Sequence, residues 1–137
     1  PVAAYLLFSY HTTPDIFLQL LLAKDWIYTH NFSDVLSIDE SVDLLALDAC
    51  FMGNLEFLYQ IRPGNGSFQA DFVIASAPTE WSYGWDYENL LAKISKFKSN
   101  EITPLLLGEL ILENHKNYTE SEELDDQVLS IFDMQKQ

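Results

Sequence analysis

The one cysteine of the sequence, Cys50, follows the hydrophobic run Asp43 to Ala49, and His11 follows an earlier run, Tyr5 to Tyr10. A thiol needs a base or an imidazolium partner to attack a carbonyl carbon at neutral pH, and histidine is the usual one. The pair therefore suits nucleophilic catalysis. Cys50 also precedes a helical stretch that starts near Gly53, where backbone N–H groups and the helix dipole would favour a thiolate. The competing reading of any lone cysteine is a small buried hydrophobe. His30 falls at a helix C-terminus, and His115 lies among Glu113, Asn114 and Lys116 on a face that reads as solvated, so both fit the role of base less well.

Carboxylates gather near the same run ends. Asp48 stands two residues before Cys50, and the period of a strand would point both side chains to one face. A carboxylate beside a thiolate raises the thiol pKa, so a direct role in nucleophilicity is disfavoured. A strand-end aspartate can also simply accept nearby backbone N–H groups. Glu80 and Asp86 follow the third hydrophobic run, Asp71 to Ala77, on the side where a substrate would lie. Between and beyond them, Trp81, Tyr83, Trp85 and Tyr87 either wall a pocket or pack together.

The elements that would position these residues alternate along the chain. Tyr5 to Tyr10, Asp43 to Ala49, Asp71 to Ala77 and Gln127 to Asp133 read as strands. Thr13-Pro14-Asp15 opens a helix that reaches His30, and a short helical turn is expected around Phe32 to Leu36. Further helices are expected over Gly53 to Ile61, Asp86 to Phe97 and, after Thr103-Pro104, Leu105 to Tyr118. Strands alternating with helices imply a parallel sheet covered on both faces, with reactive groups at the carboxyl ends of the strands.

Three ordered stretches resemble the clostripain-like cysteine peptidases. Leu44 to Ile61, LLALDACFMGNLEFLYQI, is similar to the family's strand that runs into Asp-Ala-Cys-hydrophobic-Met-Gly. FVIASAPTEWSYGWDY resembles its next strand and Gly-Trp-Asp-Tyr loop, and QVLSIFDM a later strand. The resemblance implies a three-layer α/β/α caspase-like sandwich with a mostly parallel sheet, and endopeptidase cleavage after Arg or Lys through an acyl-enzyme. It gives Cys50 the role of nucleophile and His11 that of general base and acid. It also implies that Asp48 receives the basic P1 side chain; Glu80 and Asp86, by their place after the third strand, are weaker substrate-binding candidates. The oxyanion hole would use the N–H groups of Cys50 and of Thr12, which stands where the family usually has glycine. No cofactor is required, although the family resemblance admits calcium, and a secreted or cell-envelope location is favoured.

Composition bounds the alternatives. The 137 residues, 48% hydrophobic, suffice for one core, so residues 1–137 read as a single domain, which the resemblance makes a peptidase core. Both ends look cut, and the sequence reads as a piece of a longer protein. Net charge is −14, from 21 acidic and 7 basic residues, which argues against nucleic acid and suits either a cationic substrate or plain solubility. A single cysteine allows no internal disulfide, no Cys/His grouping has zinc-site spacing, and no run is long enough to span a membrane. The expected partner is a peptide or protein with a basic P1 residue. The alternatives are a catalytically impaired homologue used for binding or regulation, motivated by Thr12, and an unrelated α/β binding domain that keeps Cys50 and His11 apart.

Overall fold

The computed structural model describes residues 4–8, 36–80, 84–124 and 127–135 of the chain. His11, Thr12, His30, Trp81 and Tyr83, the helix expected after Thr13, and all but Leu36 of the turn expected at Phe32 to Leu36 lie outside the described residues.

Among the described residues four strands, β1 (Ala4–Phe8), β2 (Val42–Asp48), β3 (Ala70–Ser76) and β4 (Leu129–Asp133), form one sheet in the order β1-β2-β3-β4. Each lies within two residues of the run that the sequence marks out. Residues β1 to β3 pair parallel, and β4 returns antiparallel to β3, with Ile74 opposite Ile131 and Ser76 opposite Leu129. The parallel register sets Phe8 beside Asp48, so β1 and β2 leave the sheet at the same end.

Among the described residues, three α-helices lie against the sheet. The short α1 (Leu55–Gln60) starts two residues later than expected because the Asn54 side chain accepts the Phe57 N–H at 2.9 Å and so acts as N-cap. Asp86 caps α2 (Tyr87–Ile94), and Thr103 with Pro104 opens α3 (Pro104–Ser121). Alternate residues of β2 face opposite layers. Leu45 and Leu47 pack with Val73, Phe57 and Ile61 on the α1 side, while Leu44 and Ala46 pack with Ile74, Trp85, Leu90 and Ile111 on the other. Burying each large apolar side chain contributes about 1.5–3 kcal/mol, which holds β2 and β3 rigidly in the middle layer. The result is a three-layer α/β architecture with a mostly parallel sheet.

Helix α3 departs from the sequence reading at one position. His115 is 7% exposed, whereas its polar neighbours suggest a solvated face. It lies four residues beyond Ile111, so the helical period carries it to the same buried side. Among the described residues, no helix is long and apolar enough to cross a membrane.

Candidate active site

Cys50 is not on β2. The strand ends at Asp48, and Cys50 sits in the turn that follows, so strand alternation does not govern its side chain. The turn is pinned to the exit of β3. The Phe51 N–H donates to the Pro78 carbonyl at 3.0 Å and the Gly53 N–H to the Ser76 carbonyl at 2.8 Å. Phe51 takes φ +60, a left-handed conformation that a bulky residue adopts only when its surroundings impose it. Glycine at 53 suits a close approach, since a Cβ there would lie 3.0 Å from the Ala77 nitrogen and press on the backbone of β3's exit.

The half-buried thiol meets the loop after β3. The Glu80 N–H donates to Cys50 Sγ at 3.2 Å, and the thiol can donate to the Glu80 carbonyl at 3.5 Å. A donor to a thiolate is thus present, but it comes from the Glu80 loop. Helix α1 begins five residues beyond Cys50, and the intervening Phe51 and Gly53 N–H groups are already engaged.

Glu80, itself half-buried, joins the thiol to the buried Asp48 in an acidic pair. Asp48, 4% exposed, accepts the Tyr87 hydroxyl at 2.7 Å and the Trp85 backbone N–H at 3.2 Å, both at Oδ2. Glu80 Oε2 accepts the Trp85 indole N–H at 3.1 Å. Asp48 Oδ1 and Glu80 Oε1 are buried and have no hydrogen-bond partner among the described residues. Burial pushes the Glu80 carboxyl up to about 7, with the Trp85 N–H opposing, the Asp48 charge and contact adding to the rise, and the Ser76 hydroxyl opposing. Tyr87 is likewise pushed up, by burial and then by its bond to Asp48.

His115 lies edge-on to Trp85, with ring centroids 6.4 Å apart. Neither ring nitrogen has a partner among the described residues, and burial pushes its pKa below the ordinary value while the Asp48 charge pulls the other way. The sequence reading missed His115 and Tyr87 as members of this cluster. For Tyr87 a signal existed in its place within the aromatic loop, but for His115 only its spacing from Ile111 pointed inward.

Asp86 does not join the others. Both its oxygens engage Asn89, at 3.1 Å to the backbone nitrogen and 2.6 Å to the side chain, and it lines a cleft between α2 and α3 with Lys93 and Asn114. No group of three or more His, Cys, Asp or Glu side chains among the described residues is arranged to hold a metal ion.

The arrangement at Cys50 invites comparison with known proteins, and residues 21–137 match the model of the clostripain family, a span that includes Asp48, Cys50 and Glu80. This chain belongs to the clostripain family. It is 37% identical to clostripain of Hathewaya histolytica over an alignment of 130 residues that takes in 82% of this chain and 25% of clostripain. The family chain thus spans about a quarter of the length of that relative. A solved cysteine protease of B. fragilis shares the fold, with a TM-score of 0.61 and 17% identity, over 81% of this chain and 45% of the protease.

Proposed function

We propose that the protein is a cysteine endopeptidase that cleaves after Arg or Lys. Cys50 attacks the scissile carbonyl carbon, and His11 takes the thiol proton and then delivers it to the leaving amine. The resulting acyl-enzyme is hydrolysed by water that His11 activates. The oxyanion of each tetrahedral intermediate accepts the N–H groups of Cys50 and Thr12. Asp48 and Glu80 receive the basic P1 side chain. The observation that carries this reading is the seat of Cys50, a half-buried thiol at the exit of a parallel sheet, 3.2 Å from the N–H of a residue whose carboxyl belongs to an acidic pair. Sheet exits of this kind gather reactive groups, and a cation is the group that such a pair attracts.

Labelling tests the proposal. A peptidyl acyloxymethyl ketone with Arg at P1 should modify the full chain at Cys50 and leave Cys50→Ala unmodified. A folded protein whose thiol ignores this reagent while reacting with a small neutral alkylator would sink the assignment. That outcome would favour the binding or regulatory homologue, for which the one specific feature is Thr12 in place of glycine. The secreted or cell-envelope location carried by the family likeness belongs to the same proposal, and cell fractionation tests it.

A further inference from the structure

The segment Gly84 to Tyr87 does more than fill space beside the sheet. Three hydrogen bonds to the Asp48 and Glu80 carboxyls come from it: the Trp85 N–H and the Tyr87 hydroxyl to Asp48, and the Trp85 indole N–H to Glu80. Each carboxyl is thereby fastened by one oxygen and keeps the other, Asp48 Oδ1 and Glu80 Oε1, buried without a partner among the described residues. Burying an acceptor in that state costs free energy that a cationic donor would recover.

The segment itself is held from both sides. Trp85 is packed on Leu44, Leu90 and Ile111 in the core, and it stacks on Tyr87 with ring centroids 6.2 Å apart. Asn114 of α3 donates to the Asp86 carbonyl at 2.8 Å. Gly84 sits at φ +67 and lies so close to the aspartate that a Cβ would come 2.8 Å from Asp48 Oδ2. A carboxyl gripped in this way cannot turn, so its second oxygen keeps one direction.

We propose that Tyr87 is a positioning residue for substrate selection, fixing Asp48 through Oδ2 so that its other oxygen, together with that of Glu80, accepts the guanidinium or ammonium of a basic side chain. This rests on the peptidase reading above and deepens it. Tyr87 touches Asp48 rather than substrate, so its effect is on where the acceptor points.

Tyr87→Phe keeps the ring and its packing and removes only the donor. Measured on the full chain, it should lower the ratio of kcat/KM for Arg over Ala at P1 about ten-fold, the strength of a charge-assisted hydrogen bond, and the loss should appear in KM with kcat held. A merely structural tyrosine would lower both substrates alike, and an equal fall or an unchanged ratio overturns the proposal. Binding of agmatine, an alkyl guanidinium, to Cys50→Ala by calorimetry reads the same clamp without turnover. Adding Tyr87→Phe should weaken that binding about ten-fold, whereas no agmatine binding, or equal binding by both variants, overturns the clamp. If the parent binds agmatine yet hydrolyses nothing after Arg or Lys, the peptidase reading fails while the clamp stands.

Discussion

The Glu80 carboxyl offers a measurement in which sign and size both follow from its surroundings. Its pKa rises from 4.5 to about 7 on folding, chiefly through burial. Between those values the folded chain holds a proton that the unfolded chain has lost. The folded state therefore binds more protons, and stability must fall as pH climbs through that window, reaching its full loss above the folded value. At full burial the rise would correspond to roughly 3 kcal/mol, and the part of the side chain that stays solvated reduces this to about 1–2 kcal/mol. Glu80→Gln keeps the shape and an acceptor for the Trp85 indole but cannot ionise. Urea unfolding of the parent and of this variant, at about pH 4 and about pH 8, isolates the residue by difference. The stability of the parent relative to the variant should drop by about 1–2 kcal/mol between the two conditions. His115 acts in the opposite direction, because a histidine buried neutral gains stability as pH rises toward its unfolded value, but it is present in both proteins and cancels. A difference that stays flat with pH, or that grows in favour of the parent as pH rises, would show that Glu80 is ionised throughout and that the acidic pair is compensated by another group.

Other substitutions read neighbouring parts of the site. Gly84→Ala should destabilise the protein by about 2 kcal/mol or more, since it places a side chain at positive φ and drives a Cβ into the gripped Asp48 carboxyl, and thermal unfolding that matches the parent would refute the close approach. Asp48→Asn should reduce kcat/KM for Arg and Lys substrates by about thirty-fold to several thousand-fold, in line with about 2–5 kcal/mol for losing one partner of a desolvated charge pair. An equal fall for neutral P1 substrates would assign Asp48 to supporting the strand end alone. His11→Ala should cost several orders of magnitude in turnover and remove the limb of the pH–rate profile due to the base, and an intact profile would exclude His11.

The strands were legible because each is a continuous apolar run bounded by turn residues, which is how a strand buried on both faces must read. Helix starts were legible where a cap stood in the sequence, as at Thr103-Pro104, and blurred at Gly53, where the capping side chain is Asn54. The reversal at β4 left a subtler mark. One helix between two strands returns the chain for parallel pairing, but α2 and α3 pack on each other before β4, and the second reversal delivers it antiparallel. What the sequence could not show was how the turn after β2 bends. Alternation from Asp48 to Cys50 presumes a strand that has already ended, and the Glu80 contact to Sγ depends on the lateral spacing of β2 and β3 exits, the two residues being 30 positions apart.

The places where this fold breaks local rules converge on one region, which gives grounds for the site that do not depend on family likeness. Among the described residues, two other than glycine have positive φ. Glu123 follows the C-terminus of α3, where a left-handed residue commonly ends a helix. Phe51 has no such excuse and stands next to Cys50. The buried side-chain polar atoms without a partner there belong to Asp48, Glu80 and His115, and Trp85 meets all three residues, by backbone N–H, by indole N–H and by a T-shaped ring contact. A fold selected only for stability would have filled or paired such positions, because each unsatisfied group costs about 1–3 kcal/mol. Their gathering around Trp85, beside the loop that meets the Cys50 thiol, is the pattern expected of a site whose missing partner is the substrate.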